Sequence, residues 1–334
     1  MRAVLLKNPD IAKAEIITLS EPKIGNGEVL LRVEAASLNY LDIAVSKGNF
    51  GTSQFPLTPV ADGAGEIIDK ADDVEDFNIG DRVVPHFMPD WQYGPIHPKR
   101  IERLRGVTMT GSLVEYIAVP ANSLVKIPSI FNYQEAATLS IAATTAWNAI
   151  CEANVRPGSI VVLQGTGGVS MYALAFAKAA GAKVIILSSS EEKLERAKKL
   201  GADELINYRE TPDWGERINY LTNGVGADLI IESGGSETFS QSINAAKFEG
   251  TIFVIGFLSG FKVSIDVLPI FYKKLRIIGN NTGSRSDLED AVRAIDANGI
   301  KPIIDRTFDF EDYRDAYQVL GDGRHFGKLV IKVA

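Results

Sequence analysis

The chain has 334 residues, 46% hydrophobic and 23% charged, a soluble globular composition long enough for two cores rather than one. Lys and Arg number 35 against 42 Asp and Glu, and the net charge of −7 argues against a nucleic acid or an anionic membrane as the main partner. No apolar run approaches the roughly 20 residues that span a bilayer; Met1–Lys7 reads as a short strand rather than a signal peptide, and the lone Cys151 excludes an internal disulfide and suits a reducing cytoplasm.

Residues 1–125 read as β-rich. Turn signals stand at Pro9-Asp10, Gly25-Asn26-Gly27 and Gly80-Asp81, and Val29–Val33, Gly65–Ile68 and the stretch after Asp81 read as strands. Residues 88–111 are irregular, with Pro89, Gly94, Pro95, Pro98 and Gly106; a loop that long in a compact domain is functional or mobile. From about residue 130 the pattern changes. Gln134–Glu152 is Ala-rich and helical. Strands are then expected at 160–164, 183–187, 204–206, 228–232 and 251–255, with helices at 168–180, 191–200, 213–222 and 237–246. On helix 191–200, Leu194, Ala197 and Leu200 form the sheet-facing stripe. The alternation means an α/β fold with a doubly wound parallel sheet. After about 262 it weakens, and 325–334, with Leu329-Val330-Ile331, reads as a strand returning to the first domain. The expected division is 1–125, 126–262 and a return segment 263–334, which supplies a sheet edge and then completes the first domain.

The densest signal is Ile160–Ser190: a strand, Gly165-Thr166-Gly167-Gly168-Val169-Ser170, a helix, a second strand, then Ser188-Ser189-Ser190. A glycine turn between a strand and a helix N-terminus seats the pyrophosphate of a dinucleotide. Gly165 permits the tight turn, Gly167 leaves room for the pyrophosphate, and Ser170 is small enough to stand for the third glycine. The bland alternative is a glycine turn that binds nothing. At the end of the second strand an NAD enzyme usually carries Asp or Glu for the ribose hydroxyls, and here three serines stand instead. A carboxylate repels the 2′-phosphate of NADP, whereas hydroxyls donate to it. Lys193 is expected to supply a cation and Tyr208 to cover the adenosine end. The expectation is NADP, against a reading of Ser190 as a plain helix N-cap and Lys193 as solvated.

Gly27–Val33, Ala36–Asp42, Gly63-Ala64-Gly65, Phe77–Val83, the 160–190 block, Leu200–Asp203 and Gly327–Val330 follow one another in an order that resembles, nearly end to end, the medium-chain dehydrogenase/reductase superfamily. The resemblance implies a GroES-like β-rich catalytic domain plus an inserted Rossmann domain, with the active site in the cleft between them. It also implies a homodimer joined through a Rossmann edge strand, for which Lys274–Gly279 is the candidate. Zinc members hold a catalytic metal with Cys, His and Cys or Asp. The matching positions here are Asn39, Ala61-Asp62 and Ile141, which make no three-ligand site. The single cysteine excludes the four-cysteine structural lobe, whose place the 88–111 loop takes, and His86, His97 and His325 show no ligand spacing. No metal is expected. The Asn39-Tyr40-Leu41-Asp42 segment resembles that of metal-free quinone oxidoreductases and enone reductases. The implied reaction is hydride transfer from NADPH to a quinone or α,β-unsaturated carbonyl, an acceptor that delocalises incoming charge without a Lewis acid. The alternatives are a zinc-lacking NADP-dependent alcohol dehydrogenase or carbonyl reductase, and a non-enzymatic NADPH-binding protein.

Within that frame Asn39 is expected to face the nicotinamide, bonding the ribose or the substrate carbonyl, or else to brace its own loop. Tyr40 is a pocket wall or proton donor, and Asp42 anchors its loop. Thr145 resembles the threonine that approaches the nicotinamide carboxamide; otherwise Thr144 and Thr145 bond locally. Gly234 and Gly235 resemble the glycine turn over the ribose, and Ile255-Gly256-Phe257 the stretch that meets the carboxamide. Phe326 and Lys328 resemble the C-terminal residues closing over the cofactor, Lys328 being otherwise a solvated strand residue. Phe50 stands where enoyl-thioester reductases carry a tyrosine proton donor, which counts against that branch. Phe50, Trp91 and Tyr93, near Phe87, Met88 and His97, are candidates for an apolar substrate wall, unless the loop packs on its own domain or on a neighbouring subunit.

Overall fold

The computed structural model describes residues 1–51, 53–260 and 262–334. The chain divides into two compact units, Met1–Thr144 with Ser284–Ala334, and Thr145–Gly283.

In the first unit a GroES-like β-rich sheet runs in the order Ile304–Phe308, Lys328–Lys332, Glu28–Ser37, Asp62–Lys70, Arg82–Pro85 and Leu124–Lys126, with Tyr116–Pro120 also paired to Glu28–Ser37. The C-terminal strand lies beside Glu28–Ser37, with Val330 opposite Ser37, so the return segment completes this sheet. Along Glu28–Ser37, Val29, Leu31 and Val33 turn inward and Leu30, Arg32 and Glu34 outward, but from Ala35 to Ser37 every residue is buried. The strand thus carries Asn39 to the edge of the interior. There Asn39 opens the short helix Tyr40–Ser46, and the Asp42 carboxylate turns back to accept the Asn39 N–H at 2.7 Å.

The second unit is a Rossmann-like sheet of six parallel strands in the order Glu204–Asn207, Lys183–Ser188, Ile160–Gln164, Ala227–Glu232, Ala246–Val254 and Arg276–Gly279. The order reverses between Ile160–Gln164 and Ala227–Glu232, the switch point at whose carboxyl end such sheets bind ligands. Helix Glu191–Lys199 buries Leu194 and Ala197, but Leu200 is its C-cap and 42% exposed, so the stripe is one residue shorter than expected.

Two expectations shift. The division falls at 144/145 and 283/284, later than the expected 125/126 and 262/263. The 134–152 stretch is three pieces: Tyr133–Ala136, a π-turn at Leu139–Ala143, and Thr144–Glu152. Its first pieces are tied to the first unit, where the Ser140 hydroxyl accepts the Phe87 N–H at 2.9 Å. At the other end Leu275 packs on the second core and Arg276–Gly279 pairs with Ala246–Val254. Among the described residues no helix is long and apolar enough to cross a membrane.

Candidate active site

Both glycine turns of the second unit stand over its switch point. Gly165 adopts φ 77°, a conformation that favours glycine, and helix Gly168–Ala179 starts at once with no side chain capping Gly167. The first N–H groups of that helix, at Gly168, Val169 and Ser170, are donors that suit a phosphate, and the helix dipole adds to the effect. Thr166 is buried beneath the turn, and Ser170, at the third motif position, donates its hydroxyl to Gln164 O at 3.1 Å.

Sequence reasoning missed what holds these turns. Glu232 ends one switch-point strand, Gln164 ends the other, and both are buried. Gln164 Nε2 donates to Glu232 Oε2 at 2.6 Å and to Ser242 Oγ at 2.9 Å. Ser242 and Thr238 hydroxyls also donate to the Glu232 carboxylate. Glu232 Oε1 further accepts the N–H groups of Gly234 at 2.9 Å and Gly235 at 3.0 Å, while Gln164 Oε1 accepts Ser233 N–H at 3.1 Å. One carboxylate and one amide therefore set the shape of the 233–235 turn and pin it to the strand that leads into the 165–168 turn. Gly234, Gly235, Ile255, Gly256 and Phe257 come together here: a Cβ on Gly235 would lie 2.6 Å from Gly260 O, and one on Gly256 2.6 Å from Ser233 O. At the end of the strand Lys183–Ser188, Ser188 is buried, Ser189 and Ser190 are half-buried, and Ser190 caps helix Glu191–Lys199 by accepting the Lys193 N–H at 3.4 Å. Tyr208 is 43% exposed after the next strand, and Asn207 Nδ2 donates to Glu191 at 2.5 Å, so a carboxylate does stand near the serines. Thr145 is buried at the start of its helix, and Thr144 Oγ1 makes the local bond to Leu139 O at 3.5 Å.

The first unit holds a second buried polar cluster. Asn39 Nδ2 donates to Asp62 Oδ2 at 2.8 Å and lies 3.5 Å from Ser37 O. Asn39 Oδ1 accepts from the Lys328 ammonium at 2.6 Å, and Leu38 O accepts from it at 2.7 Å. Lys328 Nζ is 3.7 Å from Asp62 Oδ2, with the two side chains only 3% and 0% exposed. Lys328 is therefore not a solvated strand residue, and its ammonium is committed to Asn39 and the chain before it. Asp42 accepts the N–H groups of Asn39 and of Ala61, the latter at 3.1 Å, which is the anchoring role expected of it. Arg105, from the irregular loop, is also buried, and its charge supports Asp62. Burial pushes the Asp62 carboxyl up and the Lys328 ammonium down, each opposed by the other's charge. Burial likewise carries Asp42 up to about 7 and Arg105 down to about 10. The backbone is bent to build this cluster: Val60, a β-branched residue two before Asp62, has φ 73°. The π-turn contributes as well, because Ile141 N–H, inside it, points to Asp62 Oδ2 at 3.4 Å.

Family models match both units, an Alcohol dehydrogenase GroES-like domain over residues 25–129 and a Zinc-binding dehydrogenase over 168–297. A zinc-type alcohol dehydrogenase-like protein of Schizosaccharomyces pombe is 41% identical over 319 residues, 93% of this chain and 92% of its own. The chain belongs to the medium-chain dehydrogenase/reductase superfamily. A putative alcohol dehydrogenase structure from Sinorhizobium meliloti 1021 superposes with TM-score 0.92 at 38% identity, over 99% of this chain and 98% of that one. An NAD-dependent alcohol dehydrogenase structure does so with TM-score 0.91 at 33% identity, over all of both chains.

The name of the family model over residues 168–297 implies zinc, and the residues at the matching positions do not suit it. Asn39 offers a neutral amide, Ile141 only its backbone, and Asp62 is engaged by Asn39, Ile141 and a buried ammonium that repels a second cation. Among the described residues no three His, Cys, Asp or Glu side chains are grouped to hold a metal. The residues expected to wall the substrate divide. Phe50 and Trp91 join one apolar cluster with Met88, Ala61 and Ile141, where Trp91 Nε1 donates to Gly94 O at 2.8 Å. Much of the loop thus packs on its own unit, while Tyr93 is 70% and Tyr40 42% exposed. Phe326 is buried beside Lys328 in sequence.

Proposed function

We propose that this protein transfers hydride from NADPH to a quinone or α,β-unsaturated carbonyl without a metal. The observation that carries the reading is the Asn39–Asp42–Asp62–Lys328 cluster, where the two carboxylates are answered by Lys328 and Arg105 and no ligand set for zinc remains among the described residues. NADPH supplies the hydride. The turn at Gly165–Val169 holds its pyrophosphate, Gly234 and Ile255–Phe257 flank the nicotinamide nucleoside, and Ser189, Ser190 and Lys193 meet the 2′-phosphate, with Tyr208 over the adenosine. Asn39 and Thr145 contact the nicotinamide nucleoside, and Tyr40, Phe50 and Trp91 wall the acceptor. A conjugated acceptor spreads the incoming charge over its own π-system, so hydrogen bonds suffice, whereas without a Lewis acid a simple alcohol's proton needs another acceptor. The exposed edge Arg276–Gly279, beside the exposed Val267, Leu268, Phe271 and Tyr272, joins two copies in a dimer, and the protein works in the cytoplasm.

A second reading, an NAD-dependent alcohol dehydrogenase, is favoured by the name of the 33% identical structure and by Glu191 next to the serines. Steady-state oxidation of NADPH and NADH with a quinone, an enone and an aldehyde, alongside metal analysis, tests both. NADPH-driven reduction of the quinone or enone with less than a tenth of a zinc per chain is expected. Zinc near one per chain, or turnover confined to NADH and aldehyde, replaces the proposal with the second reading. Tight NADPH binding with no turnover makes the protein a cofactor-binding protein instead.

A further inference from the structure

We infer that Lys328 is a positioning residue that, with Asp62, locks the Asn39 side-chain amide in one orientation, so that Asn39 presents a hydrogen-bond acceptor and no donor to whatever it meets. This deepens the proposed function and rests on its placement of Asn39 at the nicotinamide nucleoside. An amide has two N–H donors and two acceptor lone pairs. Both donors of Asn39 are turned to the protein, one to Asp62 Oδ2 at 2.8 Å and the other toward Ser37 O at 3.5 Å. One lone pair of Oδ1 takes the Lys328 ammonium at 2.6 Å, and one remains. Flipping the amide would set its N–H groups against an ammonium and its oxygen against a carboxylate. Both partners lie out of water while Asn39 itself is half-buried, so water gives the two charges little relief from either clash: Lys328 is 3% exposed and Asp62 fully buried. The remaining lone pair suits a hydroxyl, such as a ribose O–H, and cannot serve a substrate carbonyl, which needs a donor.

Two measurements test this. In wild-type protein with selectively 15N-labelled asparagine, the two Asn39 Nδ2 protons are expected to exchange slowly and to hold their shifts when an enone is added. Rapid exchange of both, as in a solvated amide, would overturn the inference, and no variant needs to fold for that result. The second measurement compares Lys328→Met, Lys328→Arg and the paired Asp62→Asn/Lys328→Met, which removes both charges together. Affinity for NADPH by fluorescence titration, kcat with the best acceptor, and Tm are read for each. Lys328→Met and the pair are expected to lose about tenfold to a hundredfold in NADPH affinity or kcat, the worth of a charge-assisted bond. Lys328→Arg is expected to recover to within about threefold, because it restores the donor. A folded pair with NADPH affinity and kcat within about twofold of wild type would overturn it. Because proton exchange and NADPH affinity are read without turnover, a locked amide in a protein that reduces none of the acceptors would sink the proposed function and leave this inference standing.

Discussion

Two polar networks lie inside this molecule, one in each unit, and they solve the same problem differently. In the second unit a single carboxylate, Glu232, is satisfied by dipoles: Gln164, Thr238 and Ser242 side chains and the N–H groups of Gly234 and Gly235. In the first unit two carboxylates are buried with two cations, and Asn39 is threaded between Asp62 and Lys328. A dipole network shapes backbone here, because two of its donors are N–H groups of the turn itself. A charged network orients a side chain, because an anion facing the N–H groups and a cation facing the oxygen set the two amide orientations far apart in energy. Under the proposed function the first shapes the turn that would meet phosphate and ribose, and the second leaves one acceptor lone pair on Asn39.

The contrast breaks most visibly if one charge is removed. Lys328→Ala leaves Asp62 buried without its ammonium, and a loss of about 3–5 kcal/mol is expected in denaturant unfolding. A loss below about 1 kcal/mol would mean that Asp62 is carried by Arg105 and Asn39 alone. A pH dependence comes next. Asp42 is held up at about 7 by burial, above its value in the unfolded chain. Between about pH 4 and pH 7 the unfolded chain has lost that proton and the folded one keeps it, so stability falls as pH rises, by at most about 1.4 kcal/mol per unit, and levels off above. Asp62, pushed the same way, adds to the fall. Asp42→Asn is expected to flatten the slope, and a variant with the wild-type slope would assign it elsewhere. The smallest effect belongs to the dipole network. Gln164→Leu strands Ser233 N–H and part of Glu232, costing about 1–3 kcal/mol. Its signature is a weaker cofactor affinity in the folded protein, measured by NADPH titration; unchanged affinity would reduce Gln164 to a core residue.

The glycine turn was largely legible in the sequence. Gly165, the helix start and the strand 160–164 are adjacent in the chain, and local geometry decides them. The small residue at 170 was legible too, although its bond to Gln164 O was not. The missing metal ligands were readable at Asn39, Ala61 and Ile141, but what stands in their place was not. Lys328 was open to a solvated reading because Lys usually is solvated; a signal was available in its apolar neighbours Leu329, Val330 and Ile331. Arg105, flanked by Leu104 and Gly106-Val107, carried a similar clue. Trp91 and Tyr93, expected to work together, part company, since one packs on Met88 and Ala61 while the other stays at the surface.

The sequence by itself determined the superfamily, the alternation that builds the parallel sheet, the glycine turn and the residue types at Asn39, Ala61 and Ile141. Those are properties of neighbouring residues and of residue type. Only the tertiary structure decided that Asn39, Asp62, Arg105 and Lys328, far apart in the chain, meet in one buried cluster, and that Gln164 and Glu232 meet beneath the two turns. The physical reason is the same in both places. A charge or amide taken out of water must find its partner through space, and sheet pairing brings the return strand Lys328–Lys332 alongside Glu28–Ser37, just before Asn39.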